Sequence, residues 1–261
     1  MNTRRARLLN DLLSLPTAPF RERQVVDFVS DVLKRAGVPY FQDPFGNLVV
    51  GAASARAYRR CLQTATADPL RLFIAHMDHP GFHGVAWRAP GRLDVKWHGG
   101  SPTRHLNGSR VWLANADGWT GRGRLVKAKL LPSKHALDRA EIVLTAKASL
   151  PPAAGVYGGF GFRAPVWRRG KRLYTKAADD LVGVFALLVT ALDAFGPRRA
   201  RKSPPFIGLL TRAEEVGFVG AVAHFDLGWL AKARRPVVCV SLETSRTLPG
   251  AIIGKGPVVR L

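Results

Sequence analysis

Apolar residues recur along this chain with two periods, and each period predicts one type of secondary structure. Those in the segment 22–36 follow the 3.6-residue period of an amphipathic helix. The helical period returns from Asp180 and again in the segment 221–233. Nearly continuous apolar runs, which are typical of strands covered on both faces, are found at 48–50, 70–75, 206–211 and 236–242. This alternation predicts an α/β fold with a mostly parallel sheet that is covered by helices.

The segment 84–173 has a different pattern. Short stretches of alternating apolar and polar residues, such as 109–114 and 141–146, are separated by Gly, Pro and Asn. This pattern is typical of a small β domain. We therefore expect one α/β domain formed by residues 1–83 and 174–261, with a β domain inserted at 84–173.

The composition is that of a globular protein. With 261 residues, of which 47% are hydrophobic, the chain is long enough to bury a core, which excludes a disordered tail or a fibrous repeat. No run approaches the ~18 apolar residues of a membrane span, so we expect no membrane partner. The two cysteines, Cys61 and Cys239, fit a reducing cytoplasm, and the apolar run around Cys239 predicts that it is buried.

The formal net charge is +22. Such a charge attracts nucleic acids, anionic membranes or acidic ligands. The basic residues are nevertheless scattered, and the two tightest clusters, 168–172 and 198–202, lie among Gly or Pro, where solvated loops are expected. We therefore expect no nucleic-acid partner and keep a polyanion-binding protein as an alternative.

Acidic residues and one histidine follow the predicted buried strands or begin a predicted helix. They are His76 and Asp78, Asp179 and Asp180, Glu214 and Glu215, and Glu243. In open α/β sheets, ligands bind beyond the carboxyl ends of the strands. Carboxylates that meet there repel one another, and one metal ion, or two that share a carboxylate, would neutralise them. Histidine with Asp and Glu suits zinc, cobalt or manganese.

Each of these features alone has a simpler interpretation. Adjacent acids such as Asp179 and Asp180 are common in the first helical turn, where the helix dipole contributes about 0.5 kcal/mol. A Glu pair is usually at the surface, and His76 alone is as compatible with a hydrogen-bonded core residue. Their joint occurrence at strand ends favours a common site.

Six segments of the chain match motifs of a known family, in the family's order. They are Asp43-Pro44-Phe45-Gly46-Asn47, Ala75-His76-Met77-Asp78, the segment 176–183, Glu214-Glu215-Val216-Gly217, Leu242-Glu243-Thr244 and Gly254-Lys255-Gly256-Pro257. In these motifs the chain resembles the dinuclear zinc aminopeptidases of the glutamyl aminopeptidase type, the tetrahedral (TET) peptidases. The wider group also includes zinc carboxypeptidases and deacylases.

The resemblance implies two divalent metal ions, with zinc or cobalt favoured and manganese as a further candidate. His76 and Glu243 would bind the first ion, Glu215 the second, and Asp179 would bridge the two. It also implies peptide substrates and a homo-oligomer.

The resemblance assigns two further roles. Asp78 would orient the ring of His76 from behind, and Glu214 would be the catalytic base that takes a proton from the attacking water. The segment 84–173 would be a β-barrel lid. The expected function is therefore that of a cytoplasmic metallo-aminopeptidase.

The chain also differs from the family pattern. His79 stands where family members often have Glu, and the family has a further metal-binding His beyond the segment 254–257, whereas this sequence ends at Leu261. We therefore expect either a fragment or a naturally shortened relative that lacks the family's C-terminal segment, with an incomplete second metal site and low activity. The alternatives are a related deacylase or carboxypeptidase-like hydrolase, an inactive pseudoenzyme and a basic binding protein.

Overall fold

The computed structural model describes residues 3–146, 149–195, 206–245 and 247–260, so the basic cluster at 198–202 lies outside the described residues. The described α-helices are Thr3–Ser14 (α1), Arg23–Arg35 (α2), Ala55–Gln63 (α3), Ala178–Phe195 (α4) and Val219–Asp226 (α5). The described strands are Tyr40–Gln42 (β1), Leu48–Val50 (β2), Leu70–His76 (β3), Gly81–Ala89 (β4), Arg92–His98 (β5), Arg110–Ala114 (β6), Thr120–Leu130 (β7), Leu137–Leu144 (β8), Tyr157–Phe160 (β9), Val166–Arg169 (β10), Arg172–Thr175 (β11), Phe206–Thr211 (β12) and Val237–Ser241 (β13).

A five-stranded mixed sheet with the order β1-β2-β12-β3-β13 forms the centre of the α/β part. Strands β12, β3 and β13 are parallel, whereas β2 pairs antiparallel with both β1 and β12. The predicted mostly parallel sheet is therefore correct for these three strands and wrong for the β1–β2 side. A tight turn after β1, in which the carboxylate of Asp43 accepts hydrogen bonds from the amides of Phe45 and Asn47, reverses the chain and makes β2 antiparallel to β1.

Helices cover both faces of this sheet. On one face, α1, α2 and α4 bury a cluster that includes Leu12, Val29 and Leu188. On the other face, Tyr58 and Leu62 of α3 pack on buried residues of β3 and β12. Within the described ranges, no helix combines the length and the apolar character that a membrane crossing requires.

The predicted β-barrel is confirmed. Six strands close into a barrel with the order β4-β5-β8-β7-β6-β9. Alternation along the strands fills its interior, as in β5, where Leu93, Val95 and Trp97 are buried and the residues between them face outward.

The edge strand β13 differs from its prediction. In the described sheet it pairs with β3 alone, and much of it is accessible to solvent, including Val238 and Cys239. The predicted burial of Cys239 is therefore wrong. A continuous apolar run reports the character of a strand but not whether the strand has a neighbour on both sides.

We propose that the barrel is a separable insertion, because its first and last strands are antiparallel neighbours. Phe82 lies opposite Gly158, so the chain enters and leaves the barrel at adjacent points. We expect that replacing residues 81–160 by a short Gly-Ser linker leaves a folded α/β core, which circular dichroism and a cooperative thermal transition would report. If neither this core nor the isolated barrel folds with several linker lengths, the two parts do not fold independently.

Candidate metal centre

His76 and the carboxylates of three other segments meet at one edge of the sheet. His76 is the last residue of β3, Glu214 follows β12 in a single 3-10 turn, Glu243 follows β13, and Asp179 lies at the start of α4. Because β3, β12 and β13 are parallel, their carboxyl ends lie together at this edge.

The Nε2 atom of the buried His76 is the centre of this group. It lies 3.3 Å from Asp179 Oδ1, 3.8 Å from Glu214 Oε2 and 3.9 Å from Glu243 Oε2. Two overlapping sets have ligand atoms within 4.8 Å of one another, namely His76 with Asp179 and Glu243, and His76 with Glu214 and Glu215. The described residues give no such set that contains both Asp179 and Glu215, the pair expected for the second ion.

Hydrogen bonding fixes the orientation of the His76 ring. Its Nδ1 lies 3.2 Å from the backbone oxygen of Asp78, and a carbonyl can only accept, so Nδ1 carries a hydrogen. Nε2 then points at the carboxylates with either a second proton or a lone pair. Burial alone would lower the pKa of His76, but the carboxylates of Asp179 and Asp78 outweigh burial and raise it to about 11. The site thus favours a positive charge next to Nε2.

The surrounding carboxylates also favour a cation. Burial, together with the neighbouring carboxylates, raises the pKa of Glu215 to about 8 and that of Glu243 to about 7. Among the described residues, the buried Oδ1 atom of Asp179 has no hydrogen-bond partner. An imidazole nitrogen and carboxylate oxygens are the ligands expected for zinc or a similar divalent ion. The residues therefore fit a metal ion.

Asp78 connects His76 to the turn that contains Glu214 and Glu215, here called the acidic turn. Its two carboxylate oxygens accept hydrogen bonds from the amides of Glu214, at 2.9 Å, and Glu215, at 3.1 Å. The carboxylate lies 3.6 Å from His76 Nδ1, which is too long for a hydrogen bond. In this structure Asp78 thus contacts the ring through its carbonyl and positions the acidic turn through its side chain.

Glu22 supports the acidic turn from the other side and was not identified from the sequence. It is fully buried and accepts hydrogen bonds from the Ala213 amide and from Arg212 Nε, both at 2.9 Å. Ala213 has a left-handed φ of 52°, which is strained for a residue with a Cβ and needs such support. Burial raises the pKa of Glu22 despite the nearby Arg212. In the sequence, Glu22 is simply an acidic residue before a helix.

The segment 43–47 forms hydrogen bonds with residues on both sides of the acidic turn. The side-chain oxygen of Asn47 accepts from the Arg212 amide at 3.1 Å, and its nitrogen donates to the Gly220 carbonyl at 2.9 Å. Asp43 in turn accepts from Asn47 and from the buried His224. This motif is therefore part of the scaffold of the acidic turn.

His79 also lies at the site, although the sequence suggested no ligand role for it. Its Nδ1 lies 2.7 Å from the Asp179 backbone oxygen, to which it donates, and 4.0 Å from Glu215 Oε1. It thus links the end of β3 to the start of α4.

Comparison with known proteins identifies similar folds. No protein-family model matches the chain, and no curated protein matches it significantly. Among solved structures, an aminopeptidase from the archaeon Desulfurococcus kamchatkensis is 23% identical, with a TM-score of 0.68 over 97% of this chain and 66% of that one. The TET1 peptidase of Pyrococcus horikoshii is 20% identical, with a TM-score of 0.62 over 92% of this chain and 68% of that one. An endoglucanase from Thermotoga maritima is 20% identical, with a TM-score of 0.59 over 95% and 69%.

The chain shares the fold of these proteins and spans about two thirds of their length. These proteins are named as peptidases and as an endoglucanase, so the fold alone does not decide the reaction. The reaction has to be argued from the residues of the site.

Proposed function

We propose that this protein is a metal-dependent aminopeptidase of the TET type, which hydrolyses N-terminal residues from peptides. The observation that carries the proposal is the convergence of three carboxylates on Nε2 of the buried His76 at the carboxyl edge of the parallel strands. The similarity in fold to archaeal aminopeptidases supports it.

The residues divide into ligands and supports. We propose that His76, Asp179 and Glu243 hold one divalent ion, and that Glu215, with Asp179 as the bridge, holds a second. When bound, such ions lower the pKa of water and polarise a peptide carbonyl.

Glu214 is proposed as the proton acceptor. Burial raises its pKa from the usual value, which brings the carboxylate closer to neutral pH and makes it a better base. Its backbone is held by Asp78, so its side chain has a defined starting point. Glu214 would take a proton from the attacking water and return it to the departing amine, and Glu215 would remain free to bind metal.

The proposal also covers access to the site, the cellular location and the oligomeric state. We propose that the barrel limits access of substrate to the site, that the protein works in the cytoplasm and that it forms a homo-oligomer. The Pyrococcus horikoshii TET1 peptidase can assemble into a tetrahedron or a large octahedral shell, which supports the last point.

An assay with matched substrates tests the function. Purified protein is supplied with zinc, cobalt or manganese and given glutamyl and leucyl chromogenic substrates, each with a free or an acetylated amine. We expect hydrolysis of the free amines only, with loss of activity on chelation and recovery on adding metal back. Cleavage of only the acetylated substrates would favour a deacylase, and metal binding without turnover would favour a pseudoenzyme. A protein that binds no divalent metal would contradict the proposal.

A further inference from the structure

A pocket whose described lining contains none of the candidate metal ligands lies on the outer face of the barrel. It has a volume of about 760 Å³ and is bounded by strands β6 and β7, the segment 161–165 and the end of α1. Its cationic residues are Arg110, Arg122, Arg124, Arg163 and Lys176. No carboxylate is among its described lining residues.

Strand register concentrates the positive charge. Arg110 lies directly opposite Arg124, and Trp112 lies opposite Arg122. Residues two apart in a strand share a face, so the three arginines and the tryptophan line the same surface. Like charges directly opposite each other destabilise a sheet. Among the described residues none of these arginines forms an ion pair, so an anion from outside the chain would relieve this repulsion.

Lys176 adds a buried cation to the same pocket. Only 9% of this residue is exposed, and its Nζ donates to the Leu15 backbone oxygen and lies 4.6 Å from the centre of the Trp112 ring. Burial lowers the pKa of Lys176 to about 7. An anion in the pocket would stabilise its charged form.

We propose that this pocket binds a small ligand that carries several phosphate groups. Guanidinium groups bind phosphate oxygens through paired hydrogen bonds, and several arginines on one surface suit several linked phosphates. The volume lies within the range of small-molecule pockets, which favours a compact oligophosphate over a polymer. Inorganic polyphosphate and the triphosphate of a nucleotide offer this same chemistry.

Calorimetric titration of the full chain with tripolyphosphate and with ATP, at about 150 mM salt to screen weak surface attraction, tests this proposal. The variant is Arg122→Gln with Arg124→Gln. The matched control is Arg168→Gln with Arg169→Gln, which removes the same charge from exposed positions of the β10–β11 hairpin outside the pocket. We expect the pocket variant to bind at least about tenfold more weakly, because it loses charged hydrogen bonds to the phosphate oxygens, and the control to bind like the wild type.

Comparison of tripolyphosphate with ATP shows whether the pocket recognises the phosphate chain alone or a nucleotide. Equal affinity for both would identify the phosphate chain as the recognised group, and tighter binding of ATP would add a contact with the nucleoside, for which Trp112 is the candidate. Absence of binding by the wild type would overturn the proposal, and so would equal weakening in both variants. Binding of single-stranded RNA with neither small ligand bound would also overturn it and would favour a polyanion surface. These measurements do not depend on peptidase activity.

Discussion

The Glu214→Gln variant is expected to keep its bound metal and to lose about 10²–10⁴-fold in kcat, the usual effect of removing a general base. Glutamine preserves the size of the side chain but cannot accept a proton at neutral pH. The hydrogen bond from the backbone of residue 214 to Asp78 does not involve the altered side chain, so the acidic turn should keep its position. Metal content per chain and kcat at saturating metal are the two measurements.

Glu215→Gln is the matched control, since it makes the same change one residue later. It should reduce metal content as well as activity, because Glu215 is the proposed ligand. The distinction matters because Glu214 and Glu215 both have an oxygen within 4.8 Å of a His76 ring nitrogen. Loss of metal from the Glu214 variant would make Glu214 a ligand and would contradict its role as the base.

Local patterns were sufficient for most elements of the fold. The 3.6-residue period predicts α2 and α4, and the change to alternation near residue 84 predicts a small β domain, whose closure into a barrel is implied only by the family resemblance. The helical period and the strand alternation are each visible within a single element, because one face of a helix or strand is buried whichever element it packs against.

Pairing and edges could not be predicted in the same way. The antiparallel position of β2 beside β12, and the exposure of Cys239 on β13, depend on which strands become neighbours. That choice is made by contacts between distant segments, on which the period of a single strand carries no information. The apolar runs of β12 and β13 look alike in sequence, yet one strand is central and the other lies at the edge.

The same distinction applies to the site. The rule that ligands bind beyond the carboxyl ends of the strands predicts that His76, Glu214 and Glu243 lie close together. The structure places them around one point. Their chemical roles remain predictions. The role of Glu22 cannot be predicted from local sequence, because its partners lie about 190 residues away. A residue that acts by supporting another segment leaves no local pattern.

Replacement of Asp179 by Asn is expected to have the largest effect on metal binding. A neutral amide cannot neutralise two cations, so both ions should be lost together. Removing a residue that only supports a ligand typically costs 10–100-fold in metal affinity, so removing the bridging carboxylate should cost more than about 100-fold. Asp193→Asn makes the same change at an exposed position of α4 and should leave binding unchanged.

Thermal unfolding separates loss of metal from loss of fold in this variant. A ligand at 100 times its Kd stabilises the folded state by about 2.7 kcal/mol, so added zinc should raise the Tm of the wild type and of Asp193→Asn. The Asp179→Asn protein should unfold cooperatively but show little shift with zinc. Its metal-free form should be less stable than the metal-free wild type at neutral pH, because the change removes a carboxylate that pairs with the protonated His76 ring. Unchanged metal stoichiometry and an unchanged Tm shift would exclude Asp179 as the bridge and would leave the second ion without its proposed connection to the first.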